Sequence, residues 1–593
     1  MKRILFILWV LLFVVPEANG QSVRYDVFLN SPETHFFRVE MTVENAPNSN
    51  RLNLAIPAWC CLYQIRDFAQ YVQNVRVETT GQSALKIGKI DKNTWQITGD
   101  IPEKVRISYR VFGNNLSPFG TQLNAKHAFI NPALILFYVV QGRDWPVTVV
   151  YHKPEDWTVL TAAQKVKGRT NVFEAHSYDA LVDNPVEIGR FKKISFQRDG
   201  ATYEAAFYDY HNEFSLNKFE EMLKRIVHTE TIDLMHDVPF KRYVFIFQIV
   251  DSYGSGMEHA NSSVISFNRQ RAATDVFDLT SLIAHEFFHV WNVKRIKPKN
   301  LFRYDWTKEN YTRALWFAEG GTCYYAALVR ERAGFWNRQQ LLDHFAERIT
   351  QEENDPGRFV ESPEQASFNA WFEKYPWYVR PENSISYYRS GEILSFLLDL
   401  KIRLSTKNRF SLDDVLRTMN GLFAKRNVPY NDSDDILAVM NSLTGKDYSA
   451  FFGKYISGRK RPPYETIFQA AGLNFRKEER QIADPGFFAE RNFDQPFVVT
   501  KIVAGSPAEK AGLQVNDWVL EVNGKPTGLY IEDSFKNLKA GDSVILRIKR
   551  GNKEKNLTYK IRMKLKKQYV LTEGKRLSGF QNEMLKQWFA GKP

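Results

Sequence analysis

Hydrophobic and polar positions change their period along the chain, and the changes mark out its parts. Residues 24–29 (Arg-Tyr-Asp-Val-Phe-Leu) and 37–43 (Phe-Arg-Val-Glu-Met-Thr-Val) alternate with period two. Residues 94–97, 105–109 and 147–151 continue the pattern, with Asn-, Pro- and Gly-bearing turns between them. Such alternation predicts half-buried strands, so residues 21–195 read as a β-sandwich-like domain. The character shifts after about residue 200. Strand-like runs at 243–250 and 263–267 flank a loop, and apolar helical patterns follow at 279–291 and 310–332. Residues 337–455 are mainly helical by periodicity. A small module begins near residue 463. Ser506-Pro507-Ala508-Glu509 reads as a capped helix start, Gly512 suits the helix end, and Asn523-Gly524 is a tight-hairpin signal. The whole predicts a multidomain α+β chain: a β-domain at 21–195, a mixed and then helical domain at 196–462, and a β-module at 463–566.

The first 20 residues stand outside this scheme. Met1-Lys2-Arg3 is basic, residues 4–15 are almost wholly apolar, and Ala18-Asn19-Gly20 offers small residues for cleavage. Residues 1–20 therefore read as a signal peptide, and the mature protein as exported, periplasmic or secreted. The run is short for a membrane span and no comparable run recurs. Only Cys60, Cys61 and Cys323 are present, too few for a disulfide framework, so stability must come from large cores. The adjacent Cys60-Cys61 reads as two buried small hydrophobes, with a vicinal disulfide or a metal-binding pair as the alternatives. The net charge of +13 is uneven: residues 535–593 carry 16 Lys or Arg against 4 Asp or Glu. The rest is near neutral, which argues against nucleic-acid binding. Residues 567–593 read as a basic tail.

The chemistry centres on His285-Glu286-Phe287-Phe288-His289. On a helix, positions i and i+4 share a face, so His285 and His289 can grip one zinc ion. Glu286 beside them can act as general base on the attacking water. A third ligand is required, and Glu309 and Glu319 are the candidates. Glu319 lies in the apolar stretch Leu315-Trp316-Phe317-Ala318-Glu319-Gly320, where an unpartnered carboxylate would be costly to bury. Glu309 lies in a polar stretch and needs no partner. The contrast favours Glu319.

With His285-Glu286-Phe287-Phe288-His289-Val290-Trp291-Asn292-Val293-Lys294-Arg295, Pro298, and Trp316-Phe317-Ala318-Glu319-Gly320 in view, the chain resembles the M61 glycyl aminopeptidase family, relatives of the M1 aminopeptidases. The stretch from Gly505 to Leu520 resembles a PDZ domain. The order of domains matches that family across nearly the whole mature chain. The resemblance implies a thermolysin-like zinc peptidase domain with a helical lobe, and one Zn²⁺ per chain on His285, His289 and Glu319. It also implies roles for two further segments. Ser255-Gly256-Met257-Glu258-His259 is similar to the family's glycine-glycine-x-Glu-His segment, so Glu258 would bind the substrate α-amine and Gly256 would let the backbone approach the substrate. Ser255 departs from that pattern. Ser386-Tyr387-Tyr388-Arg389-Ser390-Gly391 is similar to the family's Tyr-x-x-Gly block, which gives Tyr388 the oxyanion-donor role, with Tyr387 as rival. Trp59-Cys60-Cys61-Leu62-Tyr63 stands where a Pro-Gly turn is expected.

The expected function is that of an exported zinc aminopeptidase acting on peptide or protein substrates, with small N-terminal residues (Gly or Ala) preferred by resemblance. A PDZ-assisted zinc endopeptidase is the first alternative, and a non-catalytic PDZ-containing binding protein the second. An acidic extended peptide is the candidate ligand of the PDZ module.

Overall fold

The computed structural model describes residues 20–60, 63–78, 85–251, 254–373, 383–490, 496–528 and 531–591. Most of the expected signal peptide, and Cys61 of the cysteine pair, lie outside them. Cys60 is buried and its Sγ accepts from Asn131 Nδ2.

The N-terminal region is β-rich, as its alternation predicts. Ser22–Phe28 pairs antiparallel with Phe36–Glu44 and parallel with Val147–His152, at the centre of a seven-stranded sheet. Sheets of five and four strands complete the layers. The alternate residues Val23, Tyr25 and Val27 point into one core with Phe37, Trp95 and Phe137. That core does not stop at the domain edge. Val293, Trp306, Leu315, Ala318 and Tyr387 from the next domain belong to it. The β-domain therefore packs directly behind the elements that carry the chemistry.

The boundary falls slightly earlier than expected. Lys192–Arg198 pairs with Ala201–Tyr208 and belongs to the next domain's five-stranded sheet. Arg242–Val250 and Ser262–Asn268 follow in parallel, and the short strand Ser255–Glu258 forms the edge, antiparallel to its neighbour. The motif helix is Thr280–Phe288, preceded by a 3₁₀ turn at Val276–Leu279. The helix expected over 310–332 is shorter and broken. Asn310 turns its side-chain amide onto the backbone carbonyls of Asp305 and Lys308, which makes that stretch a loop. Helix then runs over Leu315–Ala318 and Gly320–Arg332, with Glu319 at the break. Two glycines set the packing there. A Cβ on Gly320 would lie 2.4 Å from Gly391 Cα, and one on Gly391 would lie 1.8 Å from the Trp316 carbonyl oxygen. The helix Tyr387–Ser405 is thus in backbone contact with the Glu319 break.

The C-terminal region corrects two expectations. Tyr464–Ala471 and Leu473 bury their apolar side chains in the catalytic core, so the PDZ-like sheet begins later than residue 463. Its strands run from Phe487–Glu490 to Lys553–Lys560, around Val499, Val519, Val544, Leu546 and Ile548. Residues 567–593 are not a tail. Arg562–Glu573 pairs along its full length with Leu473–Asp484 and rests on the helix Arg338–Glu353. The helix Gly579–Ala590 then inserts Met584, Leu585, Trp588 and Phe589 into the catalytic core. Trp588 Nε1 donates to Tyr324 Oη at 2.9 Å, and that hydroxyl donates to Asp399 at 2.6 Å. The chain thus leaves the catalytic domain to form the PDZ-like module and returns to complete its core.

Candidate active site

The helical spacing of the motif does what it predicts. His285 and His289 sit one turn apart with their Nε2 atoms 3.1 Å apart. Glu319 Oε2 lies 3.4 Å from each. The ligand atoms of these three residues all fall within 4.8 Å of one another, as a single metal ion requires. The rings are held from behind. His289 Nδ1 donates to the Asn292 carbonyl oxygen at 2.5 Å, which turns Nε2 toward the metal position. His285 Nδ1 lies 3.6 Å from Cys323 Sγ. Asn292 in turn donates its side-chain amide to the Phe317 carbonyl oxygen at 2.8 Å, tying the motif helix to the Glu319 break. Glu319 Oε1 accepts from Tyr63 Oη at 3.3 Å, a contact made from the N-terminal domain. Glu309 is not among the metal-capable groups of the described residues.

Around this centre opens a cleft of about 610 Å³. Gly256, Glu258, Glu286 and Tyr388 all line it with the three candidate ligands. Gly256 has a role the sequence did not reveal. A Cβ there would lie 2.2 Å from Glu286 Oε1 and 2.4 Å from its Cγ. The glycine makes room for the carboxylate of Glu286. Ser255 is accommodated because its Oγ pairs with Ser266 Oγ at 3.0 Å. Glu258 has a carboxylate oxygen within 4.8 Å of Glu286 and His289. The Tyr388 ring lies 6.2 Å from that of His285. Tyr387 stacks on Tyr388 at 4.6 Å but is buried in the N-terminal core and does not line the cleft.

The strand bearing Glu258 is locked by groups from two other segments. Asp183 of the N-terminal domain accepts from Lys294 Nζ at 2.6 Å, from the Ala260 amide at 2.9 Å, and pairs with His259 at 3.1 Å. Against the cost of burial, Lys294 and His259 hold Asp183 ionised well below the usual carboxylate range. Arg295 donates to the Ala260 carbonyl and to Asn261 Oδ1. This explains the Lys-Arg after the motif: the pair fixes the Glu258 segment against the motif helix.

The electrostatics ask for a cation. Glu258, Glu286 and Glu319 surround two imidazoles in a largely buried site. Burial would lower the His289 pKa, yet Glu319, Glu258 and Glu286 raise it to about 10. Burial also pushes Glu286 well above the usual range, opposed by His289 and helped by Glu258 and Glu319. Glu319 is driven low despite burial by the two histidines. Proton uptake at His289 and Glu286 supplies positive charge that a divalent ion would otherwise bring. With three converging donors, oriented rings and surplus negative charge, the residues fit zinc.

Residues contributed from far along the chain escaped the sequence reading. Tyr63 and Phe119 reach in from the N-terminal domain, and His344, Arg348 and Glu392 from the helical lobe. The position of Tyr63, four residues beyond Trp59 and its buried aromatic cluster, carried no sequence signal of its own.

A family model for the peptidase M61 N-terminal domain matches residues 24–190, one for M61 glycyl aminopeptidase matches 278–394, and one for a PDZ domain matches 498–550. Two models of the M61 glycyl aminopeptidase family, for its N-terminal domain and for its peptidase domain, thus match this chain in succession. With His285, His289 and Glu319 converging, the match to the M61 glycyl aminopeptidase model supports a zinc aminopeptidase by class. Among solved structures it is similar to an aminopeptidase N family protein from Idiomarina loihiensis, at 25% identity and a TM-score of 0.82, covering 96% of this chain and 100% of that one. An M1 zinc metallopeptidase from Deinococcus radiodurans aligns at 13% identity and TM-score 0.46, over 75% of this chain and 95% of that one. Legionella pneumophila aminopeptidase A aligns at 12% identity and TM-score 0.44, over 96% and 61%. No curated protein matches the sequence. Among the described residues, no helix is long and apolar enough to cross a membrane.

Proposed function

We propose that this protein removes single residues from the free N-terminus of peptides, with one zinc ion held by His285, His289 and Glu319. The observation that carries the reading is the convergence of both Nε2 atoms and the Glu319 carboxylate, with Glu286 and Glu258 at one wall of the same cleft. When bound, zinc would act as a Lewis acid toward the scissile carbonyl and ease deprotonation of the attacking water. Glu286 takes that proton and returns it to the leaving amine. Tyr388 donates its hydroxyl to the carbonyl oxygen as negative charge develops there. Its own proton is well retained, because burial and the nearby Glu319 push its pKa well up. Glu258 pairs with the substrate ammonium and sets the register at one residue. Tyr63 and Phe119 crowd the cleft from the N-terminal domain, which supports a preference for Gly or Ala as the first residue. We place the protein outside the cytoplasm, on the strength of the Lys2-Arg3 start and apolar run. The PDZ-like module, with its exposed lysines along Lys553–Lys560, would recruit acidic extended peptides.

The test is a set of variants on an Ala reporter with metal content measured alongside. Glu286→Gln should retain zinc and lose turnover, whereas Glu319→Gln should lose zinc. Glu258→Ala should cost free-amine substrates about 2–5 kcal/mol. Full zinc and activity in Glu319→Gln would remove Glu319 from the ligand set.

A further inference from the structure

Three elements give the cleft a direction. Gly256 abuts Glu286, while a Cβ on Gly254 would lie 3.6 Å from Leu282, one turn nearer the start of the motif helix. The helix Gly320–Arg332 runs the opposite way, with Glu319 beside the histidines and Arg330 Nε donating to Thr280 Oγ1 at 3.0 Å. If Glu258 holds the amine, the chain downstream of the scissile bond runs from Gly256 past Gly254, toward Thr280 and Arg330.

Three guanidiniums line that cleft, and two of them are balanced. Arg271 pairs with Asp278 at 3.3 Å, and Arg348 with Glu392 at 3.1 Å. Arg330 has no carboxylate within ion-pairing distance among the described residues. Its contacts are Thr280 Oγ1 and the face of Trp336, 3.4 Å from the ring centroid. Burial lowers its pKa to about 10, with Asp278 partly compensating, so it keeps its charge at neutral pH. It also stands at the N-terminal end of the motif helix, where the helix dipole is positive. A half-buried cation in such a place lacks its anion.

We propose that Arg330 receives a substrate carboxylate downstream of the scissile bond, supplied by the C-terminus of a short peptide or by an acidic side chain. This rests on the aminopeptidase reading above. Eleven residues separate Glu319 from Arg330, roughly 16 Å along a helix, and helical side chains lean back toward the N-terminus. An extended peptide advances about 3.3 Å per residue. The carboxylate is therefore met about three or four residues past the cleaved bond, which favours tetra- and pentapeptides.

The test compares alanine peptides of two to six residues as free acids and as C-terminal amides. The ratio of kcat/KM for acid over amide should peak at four or five residues, roughly tenfold to a hundredfold, and act through KM. Arg330→Gln should bring the ratio near one, and Arg330→Lys should keep part of it. Amide peptides with Glu at the fourth or fifth position that regain the advantage identify the side chain as an accepted source. If only the free acids gain, the C-terminus is the source. A ratio near one at every length, with no gain from Glu, overturns the proposal. So does an Arg330→Gln protein that melts lower but keeps the wild-type ratio, since that assigns Arg330 to holding Trp336 and Thr280. Failure to cleave even an Ala reporter refutes the aminopeptidase reading instead. The carboxylate preference is then read as the Kd of acid and amide peptides for Glu286→Gln protein by calorimetry.

Discussion

Replacing Gly256 by Ala tests the site with one methyl group. Gly256 is not among the positive-φ glycines, so its backbone accepts alanine. The difficulty is the neighbour: the new Cβ would lie 2.2 Å from Glu286 Oε1 and 2.3 Å from its Cδ. Ordinary contact is about 3.5 Å. Glu286 must therefore withdraw by roughly 1 Å, or the edge strand must give by as much. A displacement of that size at a reacting group costs about 100-fold in rate. The three atoms nearest the new methyl group all belong to Glu286 and none to a metal ligand, so zinc content should hold at the wild-type level. The assay is kcat on an Ala reporter, with zinc by mass spectrometry and folding by circular dichroism. A Gly256→Ala protein that is folded and zinc-loaded, with kcat within about threefold of wild type, would show that the position of Glu286 does not limit turnover and refute its role as base.

Other consequences follow from the same geometry. His289 has a pKa of about 10 without metal, against 6.5 for the free imidazole. Its contribution to the stability of metal-free protein is therefore complete below about pH 6.5 and is lost as the pH rises through 10. Zinc uptake at pH 7.5 should release at least about one proton, and apparent affinity should climb with pH over that window. Calorimetry in buffers of different ionisation enthalpy reads this directly, and a buffer-independent enthalpy would contradict it. Trp588→Ala removes a buried ring and its bond to Tyr324, so unfolding by denaturant should show a loss of about 3–5 kcal/mol, whereas a mere tail residue would show none. Asp484 and Arg562 face each other across the ladder, so residues 485–561 can be replaced by an Asn-Gly turn. That protein should cleave small reporters normally and lose efficiency on long acidic substrates. Equal losses on both would make the module structural.

How much of this was legible in the sequence depended on how local the signal was. The two histidines and Glu286 share one turn of helix, so spacing alone assembled them. Glu319 was readable because a carboxylate amid Trp316, Phe317 and Ala318 needs a reason to be buried. Glu258 and Tyr388 rested on likeness to a family, and the structure brings both to the cleft. Tyr63, Asp183 and Arg330 act across long sequence separations, and no periodicity records such pairings. The glycine at 256 was noticed, but its reason was not, because the atom it makes room for lies on another element. The C-terminal segment was misread because the basic excess of residues 535–593 outweighed its apolar spacing. The apolar positions 584, 585, 588 and 589 carried the helical spacing that docks it.

The central claim is that cleavage begins at a free amine paired with Glu258 beside a metal on His285, His289 and Glu319. Incubating zinc-loaded protein with an alanine pentapeptide and its N-acetyl twin, and following products by mass spectrometry, tests it most directly. The account predicts stepwise loss of single residues from the free peptide and none from the acetylated one. Equal cleavage of both, or internal fragments from either, would contradict it.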